Sequence, residues 1–143
     1  MLRILQKIWA PKLAAEAGAR GEQLAGEWLR RERGFVLVTQ NWRSPRDRRE
    51  EIDLVCRDRD VLVFVEVKAR AADALVPGYY AVNVRKRRVL RRAIKSYLRQ
   101  LAPRPPSFRF DVVEVTLPAA GADDAPEILH FENVPLFSKH FRG

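Results

Sequence analysis

The stretch EIDLVCRDRDVLVFVEVKAR, residues 51–70, decides how this chain folds. Two β-rich runs, Ile52 to Arg57 and Val61 to Ala69, flank a tight Asp-Arg-Asp turn, the pattern of an antiparallel hairpin. The second run is apolar on both faces before Glu66, as a central strand covered on both sides must be. Among these valines stand Asp53, Glu66 and Lys68. Buried charge without a partner is expensive, so the three are either outward-facing strand positions or the parts of a site.

Upstream, Ala17, Leu24, Ala25, Trp28 and Leu29 recur at helical spacing between Glu16 and Arg33, and Gly34 supplies a stop. Phe35 to Arg43 predicts a strand, and SPRDRRE (44–50) a polar turn region. Downstream, RAADALVPGYY (70–80) has no clear period and predicts a mobile loop. The clearest helix spans residues 84–101, where Val89, Leu90, Ala93, Ile94, Tyr97, Leu98 and Leu101 form one apolar face. Pro103, Pro105 and Pro106 end it. Residues 107–117 predict the next strand and residues 127–134 a short final one. A helix between the third and fourth strands is long enough for a right-handed crossover to a parallel neighbour. The expected fold is therefore α/β, a mixed β-sheet flanked by helices in the order αβββαβ.

At 143 residues and 47% hydrophobic content, the chain suits one globular domain, taken as residues 16–143 behind a basic N-terminal leader at 1–15. The apolar run of the leader is broken by Arg3, Gln6 and Lys7, so it suits neither a signal peptide nor a membrane span. No membrane association and a cytoplasmic location are expected. A formal charge of +9 points to a polyanionic partner. Cys56 stands alone, which excludes an intrachain disulfide, and its apolar neighbours predict an inert buried thiol. His130 and His140 have no cysteine partners, so no structural zinc pattern exists.

Strand alternation places Asp53, Val55 and Arg57 on one face and Ile52, Leu54 and Cys56 on the other. On the next strand Glu66 and Lys68 share a face with Leu62 and Phe64, opposite Val63, Val65 and Val67. Asp53 joins the Glu66 face only if the hairpin pairs it with an even-numbered residue such as 64 or 66, and that register is expected. Two carboxylates and an ammonium then meet at one end of the hairpin. With the Val67 main-chain carbonyl and waters, such hard oxygen ligands suit Mg²⁺ or Mn²⁺. Phosphodiester hydrolysis uses these parts. The alternative is a solvated strand face.

Arg85, Lys86, Arg87, Arg88, Arg91, Arg92, Lys95 and Arg99 lie between positions 85 and 99 with no acidic residue among them. A helix surface built for solubility mixes signs for i,i+4 pairing, so this set suits a phosphate backbone, DNA above all. Arg70, just past the acidic strand, is a candidate for holding the scissile phosphate. Trp42, Tyr79 and Tyr80 are either base-stacking platforms or packing residues.

EIDLV followed by VFVEVKAR resembles the active-site hairpin of the restriction-endonuclease-like superfamily, whose signature is Asp, a short gap, then Asp/Glu-X-Lys. GEQLAGEWL, NWR, AVNVRKRRVL with AIKSYL, and FRFDVVEV complete a set that runs from about residue 20 to 116 and resembles the YraN family. That family is similar in layout to archaeal Holliday-junction resolvases. The resemblance implies a restriction-endonuclease-like core, Asp53 and Glu66 as metal ligands, Lys68 as the catalytic lysine and Glu22 as an additional acid near the metal. It implies an endonuclease acting on DNA, including branched DNA, with a symmetric homodimer by analogy with a two-site resolvase. A non-catalytic nucleic-acid-binding module, or an RNA- or ribosome-associated protein, would keep the same fold and basic helix. Glu50 stands where the family usually has glycine, which touches the geometry of the loop rather than the key acids.

Overall fold

A computed structural model describes the backbone of residues 2–72 and 84–137, and the side chains from residue 15 onward within those ranges. Tyr79, Tyr80, His140 and most of the expected 70–80 loop lie outside the described residues.

Helix α1 covers Leu2–Arg33 and so runs unbroken across the expected boundary at residue 15. Ala14, Ala15, Glu16 and Ala17 are good helix formers and offer no stop. The stop comes at Gly34, whose φ of 69° is a left-handed conformation that glycine adopts without steric cost. There the Phe35 N–H returns to the Leu29 carbonyl at 3.1 Å. Strand β1 (Val36–Arg43) leads into β2 (Glu51–Asp58) and β3 (Val61–Ala71), which form an antiparallel meander. Helix α2 (Val84–Gln100) then crosses to β4 (Ser107–Leu117), parallel to β3, and β5 (Glu127–Phe131) adds an antiparallel edge. The sheet order is β1-β2-β3-β4-β5, so β3 is central. This is the expected mixed α/β arrangement, and the short final strand expected within 127–134 forms over Glu127–Phe131.

The hairpin has the expected register. Asp58 pairs with Val61 across Arg59 and Asp60, and Val55 faces Phe64. Arg59, at φ 55°, makes the tight turn. Two cores sandwich the sheet. On one side Ala25 and Leu29 of α1 pack with Leu54, Cys56, Val63, Val65, Val113 and Val115. On the other, Leu90, Ala93, Ile94, Tyr97 and Leu98 of α2 pack with Val55, Phe64, Phe110 and Ile52.

Ile52 corrects the strict alternation expected for β2, because it lies on the α2 side with Val55 rather than with Leu54 and Cys56. The strand turns over between Ile52 and Leu54, where the β2–β3 ladder also stops at Leu54 and Val65. Opposite, Asn41 of β1 has a φ of 50°, a conformation asparagine tolerates better than most residues. Trp42 packs edge-on against Tyr97, with ring centroids 5.2 Å apart, which settles it as a packing residue. Cys56 is buried and unbonded as expected, and burial pushes its thiol up to about 12. Among the described residues no helix is long and apolar enough to cross a membrane.

Candidate functional site

The distortion at Asp53 makes the site. Where β2 leaves the ladder, the Asp53 carboxylate takes over the role of the strand, accepting the Val67 N–H at Oδ2 over 2.8 Å. This bridge anchors the acid to β3 one residue beyond Glu66. Glu66 is 3% exposed, the first charge in a strand that is apolar up to that point. Its Oε1 lies 3.2 Å from Lys68 Nζ, two residues along the same face. The same oxygen lies 3.4 Å from Lys86 Nζ, which arrives from the first turn of α2. Glu66 Oε2 is buried and has no hydrogen-bond partner among the described residues.

Burial, reinforced by the Glu66 charge, pushes Asp53 up to about 8, against the opposing pull of the Val67 N–H. Glu22 adds to that repulsion and Lys86 relieves it. Glu22 comes from α1, which approaches β3 so closely at the preceding residue that a Cβ on Gly21 would stand 2.6 Å from Ala69 Cβ. Burial raises Glu22 as well, with Glu51 and Glu66 adding to the effect and a hydrogen bond with Asn41 opposing it. The structure thus brings Asp53 of β2, Glu66 and Lys68 of β3 and Glu22 of α1 into one neighbourhood, which Lys86 of α2 joins.

Asn41 and Glu51 belong to this neighbourhood although sequence reading gave them no role. Their signals were an asparagine inside a β-rich run and an acid two residues before Asp53, on the same side of a regular strand. Lys86 groups with the surface charges of α2 in the sequence, yet it reaches the buried Glu66. Among the described residues no three Asp, Glu, His or Cys side chains gather closely enough to enclose a metal ion by themselves. The unpartnered Oε2 of Glu66 and the high proton affinity of Asp53 nonetheless fit a hard divalent cation, which would satisfy one and lower the other.

The other basic candidates divide by position. Arg70 Nε lies 3.0 Å from Glu114 Oε1, a buried acid on the neighbouring parallel strand. Arg91 donates to the Leu136 carbonyl at 3.3 Å, which ties α2 to the C-terminal segment. Arg85, Arg88, Arg92, Lys95 and Arg99 are exposed, and Arg87 is half-buried.

A second charged cluster, unforeseen from sequence, lies on the α1 side. Asp111 is fully buried and accepts bonds from Arg109 Nε at 3.0 Å and the Asn133 N–H at 2.9 Å. His130 Nε2 lies 2.8 Å from Asp111 Oδ2. Burial would raise the Asp111 carboxyl, but these three partners outweigh it and hold it below the usual carboxylate range. The carboxylate can only accept, so Nε2 of His130 carries the proton. Arg109 also reaches Asp58 at 3.0 Å, so the cluster joins β2, β4 and β5. Its signal was an aspartate inside the valine run of FRFDVVEV.

Residues 21–115 match the model of uncharacterised protein family UPF0102. A UPF0102 protein of Leifsonia xyli is 38% identical over 119 residues, covering 83% of this chain and 95% of that protein. One of Anaeromyxobacter dehalogenans is 40% identical over 114 residues, covering 80% and 79%. One of Beutenbergia cavernae is 43% identical over 105 residues, covering 73% and 86%. The matched span runs from the glycine that seats α1 to Val115, two residues short of the end of β4, taking in every residue of the acidic site. The chain therefore belongs to the uncharacterised protein family UPF0102, the YraN family that its motifs resemble.

Proposed function

We propose that this protein is a Mg²⁺- or Mn²⁺-dependent endonuclease that hydrolyses phosphodiester bonds in DNA, branched and otherwise structured DNA included. The observation that carries this reading is half-buried Asp53 held against buried Glu66 and Lys68, two carboxylates whose joint ionisation is unfavourable without further positive charge. Asp53 and Glu66, with the Val67 main-chain carbonyl, would hold the ion, and because Mg²⁺ keeps several waters, a partial protein ligand set is sufficient. When bound, the ion supplies Lewis-acid polarisation of the phosphoryl group. Lys68 keeps an ammonium beside the acids, where negative charge builds on the phosphate in the transition state. Glu22 adds a third acid from the opposite layer. Arg85, Arg88, Arg92, Lys95 and Arg99 present their charge to the phosphate backbone, which positions a duplex without reading its bases. Lys86, Arg87 and Arg91 stand on the same helix, and Arg70 follows Lys68 on β3.

A second reading keeps the fold and the basic helix without turnover. It is favoured by the loose grouping of the acids, which do not enclose an ion by themselves among the described residues. In such a binding module Asp53 simply keeps its proton.

The deciding experiment incubates the protein with linear, single-stranded and four-way-junction DNA in Mg²⁺, Mn²⁺ or EDTA, beside Asp53→Ala and Glu66→Ala. Cutting that disappears in EDTA and in both variants supports the nuclease. Binding without cutting, weakened by salt and by Arg88→Ala with Arg92→Ala, supports the module. RNA that outcompetes DNA would replace DNA as the substrate class.

A further inference from the structure

Two ammonium groups converge on one oxygen of Glu66, and they arrive by different routes. Lys68 stands on the central strand two residues from Glu66, so its position follows from β3 itself. Lys86 comes from the first turn of α2, the helix that covers this face of the sheet, with a side chain 39% exposed at 3.4 Å from Glu66 Oε1. Lys86 also acts on Asp53, where it opposes the repulsion of Glu66 and Glu22. It is therefore paired with Glu66, and its charge also reaches Asp53.

We propose that Lys86 is the resident counter-cation of the Asp53–Glu66 pair and that a divalent cation enters by displacing its ammonium. This rests on the cation-dependent reading above and goes beyond it by assigning Lys86 a positioning role between the acids and the basic helix. A divalent ion held by these carboxylates repels an ammonium a few ångströms away. The lysine gives way because it stands on a flexible four-carbon stem, whereas the acids are fixed by β3 and by the Val67 bridge. Displaced, it leaves its charge at the end of α2 that carries Arg85, Arg87 and Arg88, so cation entry at the acids strengthens phosphate binding beside them.

Two measurements on the full chain test the exchange. Mn²⁺ binding is titrated calorimetrically for the wild type, Lys86→Met, Arg85→Met and Asp53→Asn. Acetylation of Lys86 by acetic anhydride is followed by mass spectrometry in the wild type with and without Mn²⁺. Lys86→Met is expected to bind Mn²⁺ about tenfold more tightly, the factor that a unit charge at this separation exerts even in a water-like dielectric. Arg85→Met, which removes the same charge from the exposed side of the helix, is expected to change binding by less than about threefold. Mn²⁺ is expected to speed acetylation of Lys86 several-fold. Mn²⁺ binding that is lost in Asp53→Asn but unchanged or weaker in Lys86→Met overturns the exchange alone, as does an unaltered labelling rate. Failure of the wild type and of Lys86→Met to bind Mn²⁺ overturns the cation site and the exchange together.

Discussion

Asp53→Asn isolates the electrostatic cost at the centre of the site. Asparagine keeps the shape of the side chain and a carbonyl oxygen for the Val67 N–H, so the 2.8 Å bridge survives, but it cannot ionise. In the folded chain Asp53 holds its proton up to about 8, against an ordinary value of 3.8, because it is buried beside Glu66. The folded state therefore binds the proton more tightly than the unfolded state does. The resulting contribution favours folding in acid and is lost as the pH rises from about 4 towards 8, with no further change above. At about 1.4 kcal/mol for each tenfold change in proton affinity, the whole displacement is worth at most about 6 kcal/mol. Asp53 is half-buried rather than sealed from solvent, which lowers this, and a difference of about 2–3 kcal/mol is expected between wild type and variant. Urea unfolding in EDTA at pH 5, 7 and 9 reads it directly. The variant should match the wild type within about 1 kcal/mol at pH 5 and exceed it by about 2–3 kcal/mol at pH 9, with equal m-values. Saturating Mn²⁺ should restore the wild type at pH 9 and leave the variant unmoved. Parallel pH profiles in EDTA, or a variant less stable at pH 9, would refute the strained carboxylate pair.

The remaining predictions concern the frame around the site. Asp111→Ala leaves His130 and the Asn133 N–H without their acceptor and Arg109 with Asp58 alone, and should cost about 3–5 kcal/mol in urea unfolding; a loss under about 1 kcal/mol would mean that the cluster holds nothing together. Gly21→Val drives a side chain into Ala69 and should lower stability by about 1–3 kcal/mol while moving Glu22 away from the acids. Its Mn²⁺ affinity, compared with that of Glu22→Gln, tells whether the close approach serves the site. Cys56 should resist a thiol-specific disulfide reagent at pH 8 and react at once in urea, because burial holds its thiol up to about 12; prompt reaction in the native state would place it at the surface.

Much of this molecule was legible before any coordinates. The apolar stripe of α2, from Leu90 to Leu98, is buried in the structure as its spacing requires. The run from Val61 to Val65 is central because only a strand covered on both faces can be apolar on both. The two-residue turn at Arg59 and Asp60 sets the hairpin register, and that register sends Val55 and Phe64 to the same core. Such features follow from local periodicity, which neighbouring residues carry among themselves.

What periodicity could not supply is where distant elements meet. The turnover of β2 at Ile52 and the positive φ of Asn41 arise because two strands part company, and neither strand records that alone. Lys86 reads as one surface cation among eight until α2 lies across the sheet and brings it to Glu66. Asp111 and Arg109 are neighbours along β4, but His130 joins them only when β5 folds back beside that strand. By itself the sequence determined which residues had to be buried and in which elements, since burial and period are local properties. Only the tertiary structure decided which charges share a low-dielectric space, because Coulomb energy depends on separation and surroundings and not on order along the chain.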